Sequence, residues 1–229
     1  MEGIGTLAFA ALVWVAVHVG IAGTAVRDAA VKRLGGRGFR LVFSALSVLA
    51  IFLLVRSYNA APTAPLWHAP GWLRWVLALL MLAAFVLFVA SVAAPNPTAV
   101  GGERALGAEP RGVQRITRHP MLWSFAIWAL VHVVGNGDTA SLLFFGAFGA
   151  TALAGMPSID AKVAARDPAA WGRYAARTSI LPFGAVAAGR NRLALREIGW
   201  LPPVVGFAVW AAMLAVHRSA FGVAPMPVG

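Results

Sequence analysis

The sequence predicts an all-α polytopic membrane protein, a bundle of about six transmembrane helices with both termini outside. Three observations predict it. Hydrophobic residues make up 60% of the 229 positions and charged residues only 12%, outside the range of soluble globular domains. Several apolar runs approach or exceed the ~20 residues that cross a hydrocarbon core about 30 Å thick. Lys and Arg collect in alternate inter-span loops, which sets an orientation.

The chain is read as one transmembrane domain over residues 1–229. The first span, about Ile4–Val26, leads into a basic loop, RDAAVKRLGGRGFR. Its start has some look of a secretory signal, with Ala22-Gly23-Thr24-Ala25 as a small-residue cleavage site. The leading residues carry Glu2 but no Lys or Arg, and the apolar run is longer than a signal needs, so the span is expected to be retained. The second span, about Phe39–Val55, ends at a Pro-rich turn, APTAPLWHAPGW, and the third, about Trp72–Ala94, stops at Pro95-Asn96-Pro97. The fourth, about Pro120–Val134, is short. Thr117 and His119 offer N-cap positions before it, and Pro120 suits the first helical position because its missing N–H needs no partner there. Gly135-Asn136-Gly137 supplies the stop. The fifth span, about Ser141–Met156, follows at once, and its Gly146, Ala150 and Ala154 form a small-residue stripe suited to close helix packing. Residues 158–177 form a basic, partly amphipathic segment interrupted near Pro168, expected at the cytoplasmic interface with Trp171 and Tyr174 as anchors. The sixth span is about Trp200–His217.

Of the 19 Lys and Arg residues, all but Arg56, Arg74 and Arg218 lie in the first, third and fifth loops, which places those loops on the cytoplasmic side. The net charge of +11 therefore reads as cytoplasmic loop charge rather than a nucleic-acid surface. With no cysteine there is no disulfide, thiolate metal ligand or Cys nucleophile. The 8 acidic residues all fall outside the spans, leaving a proton-relay transporter little to work with. No HExxH, nucleophile elbow or Walker A is present, and no dinucleotide-binding glycine fingerprint occurs in a strand–helix context.

The histidines divide by depth. His68 and His217 sit at the outer edge, where water is available, and His119 sits at the cytoplasmic entrance to the fourth span, where capping or lipid phosphate would satisfy it. His18 lies nine residues before Arg27, roughly 13 Å from its helix end, and His132 lies thirteen residues past His119, roughly 20 Å in. Both fall in the middle third of the hydrocarbon, where an ionisable residue is a functional candidate by default. Each follows a tryptophan by four residues, Trp14 and Trp128, which puts indole and imidazole on one helix face. Two neutral imidazoles facing each other at that depth can ligate one iron from opposite sides, as in a six-coordinate haem b. Trp14 and Trp128 then form part of the apolar wall around the macrocycle, and Arg115 or Arg118 can pair with its propionates. The bland alternative is that each histidine bonds a hydroxyl or a backbone carbonyl within the bundle.

The motifs resemble the NnrU family. They are the single histidine of the first span, the Ala61…Leu66-Trp67…Pro70 loop, Arg111-Gly112-Val113…Thr117-Arg118-His119-Pro120…Trp128-Ala-Leu-Val-His132, Asp160, Thr178-Ser179-Ile180-Leu181-Pro182-Phe183 and Gly189-Arg190. The match runs over essentially the whole chain. The resemblance implies a multi-pass protein of the bacterial cytoplasmic (inner) membrane, linked to denitrification and nitric oxide metabolism. The same family contains the plant and cyanobacterial 15-cis-zeta-carotene isomerases, membrane haem b enzymes that isomerise a cis double bond with redox-active iron. It implies haem b ligated by His18 and His132, and a lipophilic or small gaseous ligand. A cysteine that serves as an alternative ligand in the plant isomerase falls at Ala129 here.

A more distant similarity is to isoprenylcysteine and phospholipid methyltransferases. It is carried by Arg118-His119-Pro120, then Asp160 and Trp171-Gly172-Arg173-Tyr174 before a Leu-Pro. That likeness implies S-adenosylmethionine at the cytoplasmic face, with Arg118, His119 and Asp160 as the functional residues and His132 as structural. Asp160 stands where Glu is common, and Leu122 where a Tyr is usual. A third reading is a non-enzymatic assembly or sensor protein of nitrogen-oxide respiration.

Overall fold

In a computed structural model of the chain, described over residues 2–21, 24–99 and 101–227, the secondary structure is helical. The helices are α1 (Glu2–Val15), α2 (Ala25–Ala60), α3 (Gly71–Ala93), α4 (Pro120–Asn136), α5 (Thr139–Arg166), α6 (Pro168–Arg177), α7 (Gly184–Ala187) and α8 (Leu201–Phe221). A π-helical segment, Ala16–Ile21, continues α1, and short 3-10 turns cover Glu103–Gly107, Gly112–Arg115 and Leu195–Glu197. Among the described residues five helices are long and apolar enough to cross a membrane: α1 with its π continuation, α2, α3, α5 and α8. The α4 helix, expected as the short fourth span, is apolar but has 17 residues, enough for about 25 Å. Ala22 and Gly23, which fall inside the expected first span, lie outside the described residues.

The basic stretch after the first span is helical rather than a loop. Thr24 caps it by accepting from the Val26 N–H at 3.3 Å, and Ala, Arg, Lys and Leu then favour helix. Gly35, at φ 70° and ψ 165°, breaks this helix and the next span resumes after it.

The chain divides into two compact units, Met1–Pro70 with Ala129–Ser158, and Gly71–Trp128 with Ile159–Gly229. In the first, α1 packs on α2, and Leu7, Ala10 and Ala11 of α1 and Ala50 and Leu54 of α2 are buried. The loop before α3 seats on the α4–α5 turn. Leu66 and Trp67 donate their backbone N–H groups to the Gly137 carbonyl, and the Trp67 indole donates to the Val134 carbonyl at 2.9 Å. Gly137 has φ +66°, and an added Cβ there would lie 2.2 Å from the Trp67 carbonyl oxygen. Asp138 caps α5 by accepting from the Ser141 N–H at 2.8 Å and its hydroxyl at 2.7 Å. The expected small-residue stripe does not carry the packing, because Ala150 is exposed and nothing surrounds a Cβ at Gly146. The close approach is instead at Gly149, where an added Cβ would lie 3.4 Å from the Ala129 Cβ.

In the second unit α3 packs on α8. The two backbones approach so closely at Gly206 that a Cβ would meet the Val86 Cα at 2.8 Å, the use of glycine common in helix pairs without a hydrophobic driving force. The Trp210 indole donates to the Ala78 carbonyl at 2.9 Å across the same pair.

Gly137→Ala combines positive-φ strain with a backbone clash, so it is expected to destabilise the detergent-solubilised protein by roughly 2 kcal/mol or more. Gly146→Ala, in a helix with open space, is expected to be neutral or slightly stabilising. Thermal unfolding of the two variants side by side checks the contrast.

Candidate functional site

Two histidine settings form, one polar and one aromatic. The polar one is built from the approach to α4. Segment 116–118 is held against segment 178–183: Phe183 N–H donates to the Ile116 carbonyl at 2.7 Å, Arg118 N–H to the Ser179 carbonyl at 3.0 Å, and the Thr117 hydroxyl to the Ile180 carbonyl at 2.7 Å. Thr117 Oγ1 accepts from the His119 N–H at 3.2 Å, the His119 carbonyl takes the first helical bond from Trp123, and Pro120 opens α4. The Trp123 indole reaches the Ile180 carbonyl at 2.8 Å. From the Pro95–Thr98 turn, the Thr98 hydroxyl and the Asn96 amide both donate to the Arg118 carbonyl, at 2.5 and 3.3 Å.

This clamp presents two side chains to one carboxylate. Arg118 donates from Nε and Nη2 to Asp160 Oδ2 at 2.9 and 2.5 Å, and His119 Nε2 lies 2.7 Å from Asp160 Oδ1. His119 is 2% and Asp160 9% exposed, so the charges are largely removed from water and each hydrogen bond counts for more. The Arg118 guanidinium also lies over the Trp171 ring, 5.3 Å from its centroid. Tyr174 lies nearby, 2% exposed in a core with Leu106, Val163 and Ala170. Its hydroxyl has no hydrogen-bond partner among the described residues, and burial pushes the phenol up from its ordinary value.

A second set of ties secures the loops of this unit. Arg115 forms a bidentate pair with Glu197, Nε to Oε2 at 2.7 Å and Nη2 to Oε1 at 3.0 Å, and Gly112 N–H adds a bond to Oε2 at 2.9 Å. The Arg115 bond holds the Glu197 carboxyl down at about 2, helped by the Gly112 N–H, and the same pairing raises the guanidinium. Arg190 Nη1 donates to the Ala175, Ala176 and Thr178 carbonyls at the end of α6, satisfying acceptors a helix C-terminus leaves open.

The aromatic setting lies in the first unit. His18 falls in the π-helical Ala16–Ile21 segment, and its Nδ1–H donates to the Trp14 carbonyl at 2.9 Å. The Trp14 and His18 rings sit 3.9 Å apart. Trp14 then meets Phe148 at 4.7 Å, Phe148 meets Phe144 at 5.3 Å, Phe144 meets Phe145 at 5.0 Å, and Phe145 stacks on His132 at 4.6 Å. A continuous path of aromatic rings therefore joins His18 to His132. Trp14 Nε1 is buried with no hydrogen-bond partner among the described residues. Trp128 lies in α4, partly buried.

The structure brings Arg118, His119 and Asp160 together. It does not leave His119 to lipid phosphate: Asp160 satisfies the ring, and the residue is buried because the 116–118 and 178–183 segments close over it. Arg118, expected beside propionates, is held by Asp160. Tyr174 is buried rather than an interfacial anchor, because the break at Asp167 turns α6 so that Ala170 and Tyr174 pack on Leu106 and Val163. Sequence reasoning missed the Arg115–Glu197 pair, although a lone acid among the basic residues of 190–197 was a signal for it. It also missed the π segment, for which Val, His and Gly in an apolar run carry no distinguishing pattern.

A helical chain in which, among the described residues, five helices are long and apolar enough to cross a membrane defines an integral membrane protein. It belongs to the NnrU family: the family model described as NnrU protein matches residues 6–225. The chain is similar to the chloroplastic 15-cis-zeta-carotene isomerase of Arabidopsis thaliana, 26% identical over 187 residues, and to that of Zea mays, 27% identical over 196 residues. Each alignment covers 80% of this chain and 50% of the relative, so the chain spans about half the length of the curated relatives it matches. No solved structure matches it.

Asp160→Asn leaves Arg118 buried without its counter-charge, and it is expected to destabilise the protein by roughly 3 kcal/mol, read as a fall in melting temperature. The Glu197 pair has a pH signature. Its folded value of about 2 lies below the ordinary 4.5, so its stabilisation is present above the ordinary value and is lost as pH falls through the folded one. The melting-temperature gap between wild type and Glu197→Gln should therefore hold near about pH 6 and narrow towards about pH 3.

Proposed function

We propose that the chain is a multi-pass protein of a bacterial cytoplasmic membrane, with both termini outside, that holds one haem b through His18 and His132. It uses the haem in redox-linked, isomerase-like chemistry on a lipophilic substrate. The observation that carries this reading is the setting of His18. A ring Nδ1–H held on the Trp14 carbonyl fixes the tautomer and leaves the Nε2 lone pair available to a metal, the kind of outer partnership that orients metal-bound imidazoles. The π-helical turn that carries the ring is a local register change of a kind frequent at functional sites.

The donor set fits haem iron: two imidazoles bordered by aromatic rings, with no thiolate to compete. When bound, such a group supplies a one-electron centre whose potential follows its axial ligands and the dryness of its surroundings. The chain's own residues do the rest. Trp14 keeps the proton on His18 Nδ1 through its carbonyl, and Trp14, Phe144, Phe145 and Phe148 exclude water. Phe145 orients the His132 ring by stacking. Ala129 offers no sulfur for a change of ligand. The name of the plant relatives extends the proposal to the substrate class, a long apolar polyene reaching the site from the bilayer. A small gas such as a nitrogen oxide is the alternative ligand of the same centre.

A second reading is favoured by one observation, the meeting of Arg118, His119 and Asp160. In a methyltransferase this cluster would serve S-adenosylmethionine. Binding of that cofactor, lost in Arg118→Gln and kept in His18→Ala, would establish it.

Protein purified from haem-replete cells should show a Soret band and, after reduction, resolved α and β bands. His18→Ala and His132→Ala should each abolish the six-coordinate spectrum, while Arg118→Gln should keep it. Absence of any Soret absorbance in folded wild-type protein overturns the proposal. If haem is bound and the reduced iron stays closed to carbon monoxide, an assembly or sensor role displaces catalysis.

A further inference from the structure

We propose that the cleft between the Glu103–Gly107 turn and the α5–α6 corner is a binding site for the phosphate headgroup of an anionic phospholipid. The cleft has a volume of about 460 Å3, and Arg104, Arg166 and Arg173 line it from three different elements. Among the described lining residues the one acid is Asp167, and it is already used: its Oδ1 accepts the Ala170 N–H at 2.9 Å as the N-cap of α6. Arg104 and Arg173 make no hydrogen bond or ion pair with other described residues. Guanidinium groups converging on one small volume match phosphate oxygens, which accept paired N–H donors in a plane.

Two further features select a lipid over a soluble phosphate compound. Arg166 is the last residue of α5, one of the membrane-length apolar helices, so the cleft opens where such a helix ends and headgroups begin. Its floor is apolar, made by Leu106, Val163 and Ala170, which belong to the same buried core as Tyr174. That floor suits the glycerol and first acyl carbons of a lipid. Among the described residues no aromatic side chain lines the cleft to offer a platform for the base of a nucleotide. The site is independent of any haem.

The test uses the full chain in detergent, with native mass spectrometry of retained dioleoylphosphatidylglycerol and dioleoylphosphatidylcholine. Wild type should retain the anionic lipid preferentially, and Arg104→Gln/Arg166→Gln/Arg173→Gln should weaken it about tenfold. Arg37→Gln/Arg192→Gln/Arg196→Gln removes the same charge from exposed positions outside the cleft and should leave binding within about twofold. Should the triple cleft variant fail to fold, Arg173→Gln, on the exposed side of α6, reads the same loss in smaller measure. Equal weakening by the cleft and control variants assigns the effect to diffuse surface charge and overturns the site. Displacement of the lipid by inorganic phosphate or adenosine triphosphate assigns the cleft to a soluble phosphate and overturns the lipid.

Discussion

The polar cluster of the second unit depends on the Asp160 carboxylate. A buried carboxylate is costly unless its lone pairs are used, and here both oxygens are: Oδ2 by two guanidinium nitrogens and Oδ1 by the His119 ring. Because Arg118 and His119 are consecutive, both can reach one carboxylate only if the chain is extended before α4 begins. The bonds from segment 178–183 and from the Pro95–Thr98 turn hold it so. The start of α4, the tail of α5, the end of α3 and the connection after α6 are all positioned by that requirement.

The same economy governs the helix ends. A membrane-length helix must satisfy its terminal backbone groups before it enters lipid. Asp138, Thr24 and Asp167 each accept an N–H at the start of a helix, and Arg190 covers the last carbonyls of α6. The turn between α4 and α5 is completed by Trp67, whose indole takes the Val134 carbonyl at the end of α4. That bond explains why a tryptophan stands in a loop that otherwise reads as a proline-rich connection.

Much of this was legible because its causes are local. The apolar runs, the Pro120 start and the Gly137 stop follow from composition and backbone freedom. The i, i+4 pairing of Trp14 with His18 follows from helical spacing and appears as a 3.9 Å ring contact. The misreadings arise where tertiary partners decide. The charge of segment 27–40 suits a loop, yet its residues favour helix and only Gly35 interrupts it. Tyr174 looked like an interfacial anchor because the turn at Asp167, which buries it, depends on contacts with Leu106. The Gly146 stripe has the right period, but which face of a helix meets a neighbour is not a property of that helix alone.

The difference between His18 and His119 is one of partners. A carboxylate suits His119, because Arg118 is there to balance its charge at the end of the apolar helices. Beside His18 a carboxylate would bring an uncompensated charge into the span, where each charge costs at least a few kcal/mol. A backbone carbonyl orients the ring and holds its Nδ1 proton without adding charge. The absence of acidic residues from α1 beyond Glu2 and the Trp14 carbonyl bond fit one constraint: an imidazole in so apolar a setting is positioned at least cost by neutral groups. Each ring spends one nitrogen on the fold, Nδ1 on a neutral carbonyl in His18 and Nε2 on a carboxylate in His119.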